Sequence, residues 1–153
     1  MCAMITIIED ASIRLLDRLY EIETECFKEE AFTKPQIAQL LKDYNSISLI
    51  ARVNEIIVGF VIGMVYVDRK ALYGHILTIE VLSTYRGKGV GQKLLEEIES
   101  VFRQKGVRTS TLEVREDNVP AINLYRKLGF ETIGTLKNYY GSLHGIYLRK
   151  ALT

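Results

Sequence analysis

Arg86-Gly87-Lys88-Gly89-Val90-Gly91 sets three glycines in alternate positions beside two basic side chains, the densest chemical signal in the chain. Glycine lets the backbone turn tightly and approach a ligand with no side chain in the way. Backbone N–H groups bared in this manner can point at an anion, and a helix starting at the loop adds its partial positive end. With Arg86 and Lys88 supplying full charges, the loop suits a pyrophosphate. Two familiar phosphate loops do not fit. A P-loop needs Ser or Thr after its Gly-Lys to hold magnesium, and Gly89 follows Lys88. A dinucleotide fingerprint needs its third glycine one residue beyond Gly91 and an early parallel strand-helix-strand unit. Coenzyme A remains as the phosphate-bearing ligand, with a ligand-free glycine turn as the plain alternative.

The elements around this loop read clearly. Ile5 to Ile8 makes a first strand, and Ser12 can cap a helix carrying Leu15, Leu19, Ile22 and Cys26 on one stripe. Thr33 and Gln36 form a capping box for a second helix, with Pro35 in its first turn. Ile47 to Val53 and Ile56 to Val67 form a hairpin through Asn54-Glu55, and Gly74 to Val81 follows as a fourth strand. The glycine loop then opens a helix to about Gln104, with Val90, Leu94, Ile98 and Val101 facing inward and Gly106 ending it. Arg108 to Arg115 is a fifth strand. Asn118 opens a short helix that ends at Gly129, and Phe130 to Thr135 and Ile146 to Leu152 close the chain as strands. The expected fold is α/β in the broad sense: one domain over residues 1–153, a mixed sheet flanked by four helices in three layers.

Composition excludes several classes. The chain has 20 Lys and Arg against 19 Asp and Glu, a net charge of +1, and so no electrostatic footprint for direct nucleic-acid binding. The histidines are His75 and His144 and the cysteines Cys2 and Cys26, which gives neither zinc-ligand spacing nor a disulfide framework. The longest apolar stretch, Ile56 to Val67, contains two glycines and is too short to span a bilayer, and Met1-Cys2-Ala3-Met4 does not start a signal peptide. A cytoplasmic protein with no metal and no membrane partner is expected.

Arg86, Gly89 and Gly91 match the loop of the GNAT acetyltransferase superfamily, which reads Gln or Arg, two residues, Gly, one residue, Gly or Ala. The resemblance covers nearly the whole chain in element order and is tightest from Gly74 to Phe130. It implies acetyl-CoA as co-substrate, with the fourth and fifth strands splayed apart around the acetyl group. Ile79, Glu80 and Val81 would then pair with the pantetheine arm like an added strand. The loop from Arg86 through Gly87, Lys88, Gly89, Val90, Gly91 and Gln92 would hold the phosphates, with Asn118 and Tyr125 completing the site.

A second block, Leu112-Glu113-Val114-Arg115, Asn118 and Ala121 to Phe130, resembles the ribosomal-protein alanine acetyltransferases and related enzymes acting on nascent N-termini. That resemblance gives Glu113 the role of base and Tyr125 that of acid. The chemistry asks for such a pair: an α-amine with a pKa near ~8 is mostly protonated at neutral pH and must lose a proton before attacking a thioester. The leaving thiolate is helped by a hydroxyl, and a backbone N–H near Val81 could hold the oxyanion. Taken alone, Tyr125 shares a helical face with Ala121 and Leu128 and also fits as core, while Glu113 also fits as a solvated strand carboxylate. Gly74-His75 resembles the start of the fourth strand in arrest-defective-type N-terminal acetyltransferases, in some of which that His and the fifth-strand Glu together hold a water; His75 is therefore a third catalytic candidate.

On the acceptor side, the resemblance implies a groove between the segment joining the first two helices, with Glu25 and Phe27, and the C-terminal hairpin, with Tyr139 and Tyr140. The acceptor would be a protein or peptide N-terminus, ribosome-associated substrates included. His144-Gly145 stands where arrest-defective-type relatives carry an acidic pair. Glu25, Glu29 and Glu30 keep open a polyamine, aminoglycoside or lysine acceptor, and a non-enzymatic acyl-CoA-binding domain is the third alternative.

Overall fold

The computed structural model describes residues 4–152; Cys2 lies outside them. Its strands are β1 (Thr6–Asp10), β2 (Ser46–Val53), β3 (Ile56–Asp68), β4 (Ala71–Val81), β5 (Thr109–Arg115), β6 (Glu131–Tyr140) and β7 (Leu143–Ala151). The α-helices are α1 (Leu16–Cys26), α2 (Lys34–Lys42), α3 (Val90–Gln104) and α4 (Val119–Lys127), and short 3-10 turns precede α1 and α3. The strands form one seven-stranded sheet in the order β1-β2-β3-β4-β5-β7-β6. Every neighbouring pair is antiparallel except β4 and β5. Among the described residues no helix is long and apolar enough to cross a membrane.

Local signals account for the turns. Thr33 and Gln36 form the reciprocal capping box at α2. Asn54 and Glu55 both take positive φ, 50° and 70°, the mirror-image turn whose twist matches an antiparallel hairpin. Ser12 caps a 3-10 turn instead of α1, and without a side-chain hydrogen bond. The last two strands run further than their apolar stretches indicate. They meet at Gly141, φ 73°, after an irregularity at Asn138, φ 53°.

Strand alternation builds two cores, one on each face of the sheet. Ile50, Phe60 and Ile62 face Leu19 and Ile22 of α1 and Ile37 of α2. Leu49, Ala51, Val61, Leu112 and Val114 face Val90, Leu94, Ile98 and Phe102 of α3, together with Ile122 and Tyr125 of α4. Phe102 takes the fully buried place on α3 that the expected stripe gave to Val101, which is only partly buried. α3 seats closely because Gly74 has no side chain: a Cβ there would lie 2.5 Å from the Phe102 ring.

Two features of β4 create the site. Its parallel pairing with β5 stops at Ile76 and Leu112, although β4 continues to Val81 and β5 to Arg115. The expected splay is therefore present. In addition, β4 carries an irregularity against β3 between Ile76 and Thr78, leaving Leu77 without a register partner. An inserted residue reverses the alternation beyond it. His75 before the bulge and Thr78 and Glu80 after it consequently share the α1–α2 face.

Candidate active site

His75 and Thr111 are register partners on the paired part of β4 and β5. Leu112 and Val114 point into the α3 core, so Thr111, Glu113 and Arg115 occupy the opposite face. His75 Nε2 lies 2.8 Å from Glu113 Oε2, and His75 Nδ1 lies 2.6 Å from Thr111 Oγ1. Both side chains of the pair are largely covered, 16% and 20% exposed. The contact is direct, so a water would sit on the pair and not between its members. With the ring neutral, the Thr111 hydroxyl donates to Nδ1, and Nε2–H donates to the Glu113 carboxylate. Thr111 went unnoticed in the sequence, although its place two residues before Glu113 puts it on the same strand face.

Tyr125 reaches the gap from the other side of the sheet. Its ring is buried in the α3–α4 core and meets Phe130 edge-on at 5.9 Å. Burial raises its hydroxyl pKa well above the usual phenol range, and the nearby acidic groups Glu80 and Tyr140 add to the shift. The hydroxyl thus remains an O–H donor at any physiological pH. Glu113 and Tyr125 therefore flank the splayed strands from opposite faces.

Positive φ occurs at Gly87 (73°) and Gly89 (85°), the two loop positions that demand glycine. A Cβ added at either would meet nothing within 4 Å, so the loop lies open to a ligand. Gly91 is different: it lies inside α3, and a Cβ there would touch Leu124 and Val81 only at ordinary distances of 3.7 and 3.8 Å. Gly89 caps α3 without a side-chain hydrogen bond, leaving the first N–H groups of Val90, Gly91 and Gln92 available to an anion. The neighbouring side chains have other partners. Arg86 Nε donates to the Val81 carbonyl at 2.8 Å, Lys88 Nζ sits 5.9 Å from the Tyr85 ring centroid, and Gln92 bonds Glu96 at 2.9 Å. Ile79 and Val81 turn their side chains into the α3 core, and Glu80 points away from it. Asn118 caps α4 by accepting from Ala121 N at 3.3 Å. An open cradle, an uncapped helix start and an unpaired β4 edge together fit a phosphate-bearing ligand with an extended arm.

The side where the resemblance puts the acceptor is bounded by the α1–α2 segment and the β6–β7 hairpin. Phe27 ends α1, partly buried, while Glu25 faces solvent. Glu30 accepts from Arg115 at 2.8 Å, tying the segment to β5. Tyr139 and Tyr140 stand edge to face with centroids 4.9 Å apart. Burial, then the Glu113 charge, pushes the Tyr140 hydroxyl up to about 12. The tyrosine pair and Glu113 thus converge on one place. An open groove of about 600 Å³ lined by Tyr66, Tyr73, His75, Thr111 and Tyr147 reaches His75 from the paired end of β4 and β5. His144, at the departure from the family pattern, supports the hairpin: Asn138 N donates to its Nδ1 at 2.9 Å.

Residues 16–130 match the Acetyltransferase (GNAT) family. The chain belongs to that family. It is an acyltransferase by membership, with relatives named for action on protein N-termini. An N-alpha-acetyltransferase of Sulfurisphaera tokodaii is 34% identical over 120 residues, 72% of each protein. A [ribosomal protein bS18]-alanine N-acetyltransferase of Haemophilus influenzae is 36% identical over 129 residues, 81% of this chain and 80% of the relative. Among solved structures, Ard1 from Thermoplasma volcanium superposes with a TM-score of 0.87 at 27% identity, covering 97% of this chain and 98% of the other. The ribosomal-protein-S18-alanine N-acetyltransferase from Escherichia coli gives a TM-score of 0.86 at 25% identity, covering 97% and 95%.

Proposed function

We propose that this family member transfers the acetyl group of acetyl-CoA to the free α-amino group at the N-terminus of a protein or peptide. The observation that carries the proposal is the 2.8 Å His75–Glu113 contact on the acceptor face of the splayed strands, with Tyr125 on the opposite face. The two relatives with N-terminal activities, one on a ribosomal protein, support the choice of acceptor.

An incoming ammonium gives its proton to Glu113, directly or through a water resting on the pair. His75 holds the carboxylate in place, and Thr111 fixes the ring from behind. The freed amine nitrogen attacks the thioester carbonyl carbon and the C–N bond forms; as the C–S bond breaks, the nitrogen's surplus proton passes through solvent to the departing thiolate, leaving the amide and the free coenzyme A thiol. The departing sulfur receives a hydrogen bond from Tyr125. Because that hydroxyl is a weaker acid than an ordinary phenol, stabilising the thiolate by this bond is favoured over full proton transfer. The unpaired β4 edge toward Val81 supplies backbone groups for the arm and the oxyanion, and the loop from Arg86 to Gln92 takes the phosphates.

The polyamine and aminoglycoside readings depend on acidic side chains free to bind a polycation. Glu30 is engaged by Arg115, whereas Glu25 and Glu29 are exposed and open to a polycation. Thiol release from acetyl-CoA, measured with a peptide, the same peptide with a blocked N-terminus, and spermidine, tests the proposal. Release with the free peptide alone supports it; release with spermidine and neither peptide overturns it.

A further inference from the structure

We infer that Glu80 is a neutral carboxylic acid that latches the segment between α1 and α2 onto β4 and so shapes the acceptor wall of the active site. This rests on the acceptor side proposed above. Glu80 on β4 and Glu23 on α1 are both buried, 4% and 1% exposed, and Thr78 lies between them. Thr78 Oγ1 is 2.8 Å from Glu80 Oε1 and 3.3 Å from Glu23 Oε1. A hydroxyl carries one proton and can donate only once. Both contacts are hydrogen bonds only if one carboxyl is itself protonated.

The proton belongs on Glu80. Glu23 already has donors on both oxygens, because Phe32 N donates to its Oε2 at 3.1 Å. Glu80 Oε2 is buried with no partner among the described residues. An orphaned oxygen costs far less on a neutral acid than on a carboxylate. The resulting chain is directional: Glu80 O–H donates to Thr78, Thr78 O–H donates to Glu23, and Glu23 accepts from the Phe32 backbone. It links the C-terminal end of β4 to the residue before the α2 cap.

The surroundings agree. Burial raises the Glu80 pKa well above the carboxylate range, and the neighbouring Glu23 adds to the shift. The other titratable groups facing it are Cys26 of α1 and Tyr125 of α4, with Tyr140 of β6 beyond Tyr125. Arg86 turns to the Val81 carbonyl, and Phe60 and Ile62, the β3 register partners of Glu80 and Thr78, are apolar. Glu23 sits one helical turn from Leu19 and shares its inward stripe, so it holds the latch from the core side of α1.

Carbon-13 NMR of protein labelled at the glutamate carboxyls tests the proton directly. One carboxyl should keep a protonated shift at pH 7, and Glu80→Gln should remove that signal. Its absence from the native protein overturns the inference. Hydrogen exchange at the Phe32 amide tests the latch. Protection should fall at least tenfold in Thr78→Ala, return in Thr78→Ser, and persist in Glu80→Gln, whose amide can still donate. Unchanged protection in folded Thr78→Ala, or equal loss in Thr78→Ser, also overturns it. Neither measurement uses acetyl donor or acceptor, so a failed acceptor assignment leaves both results standing.

Discussion

His75 Nε2 and Glu113 Oε2 lie 2.8 Å apart where β4 and β5 part, His75 on the last rung but one and Glu113 one residue beyond the last. The pairing ends where the pair begins its work, so two side chains on adjacent strands share one opening. Groups acting as a unit are not additive. Glu113→Gln should lower kcat/KM for a peptide most below the amine pKa, near ~8, where a base is most needed. His75→Ala combined with Glu113→Gln should be little worse than the poorer single variant. Steady-state kinetics from about pH 6 to pH 9.5 measure this. Fully multiplicative losses would separate the two roles.

Tyr125→Phe removes one hydroxyl and keeps the ring that packs on Phe130. The expected loss is in kcat, roughly a hundred- to a thousand-fold as for losing one hydrogen-bond donor to charge developing in the transition state, with acetyl-CoA affinity changing far less. Native kcat in this variant would reduce Tyr125 to packing.

Gly89 combines a φ of 85° with open space around its Cβ. Gly89→Glu puts a carboxylate at the start of α3, where an anionic ligand is proposed to rest. Acetyl-CoA binding by the folded variant should vanish in calorimetric titration. Unchanged affinity would remove the loop from the cofactor site.

Glu80 makes stability depend on pH in a definite direction. Its carboxyl pKa is raised by folding, so its contribution is full below the unfolded value, about 4.3, and is lost as pH rises through the folded value. Glu80→Gln has no proton to lose. Its stability relative to the native protein should therefore grow from pH 4 to pH 8 in urea titrations. A constant difference would mean Glu80 has the same pKa folded and unfolded.

Much of this architecture was legible because its causes are local. Thr33 and Gln36 write a helix start, Asn54-Glu55 writes a turn, and Gly87 and Gly89 write positive φ. Element order followed from those signals, and the separation of β4 from β5 followed from family resemblance. The bulge at Leu77 was not legible: Gly74 to Val81 reads as one continuous strand, and its phase reverses only because of how it pairs with β3. The burial of Glu23 and Glu80 was missed for a related reason. A lone glutamate is ordinarily solvated, and only α1 crossing β4 brings these two to one threonine. Glu23 did carry a signal, since it shares its helical stripe with Leu19 and Cys26. Tyr125 was legible both as core and as chemistry, and in the structure it sits in the core at the edge of the gap.

The choice of acceptor nitrogen is tested most directly by site-resolved mass spectrometry. The substrate is a peptide beginning with Ser, Ala or Met and carrying an internal lysine, incubated with the protein and acetyl-CoA. The His75–Glu113 pair with its flanking tyrosines predicts one acetyl group on the α-nitrogen and little on the lysine side chain. Exclusive acetylation of the lysine, or no peptide product while spermidine reacts, would contradict N-terminal acetylation.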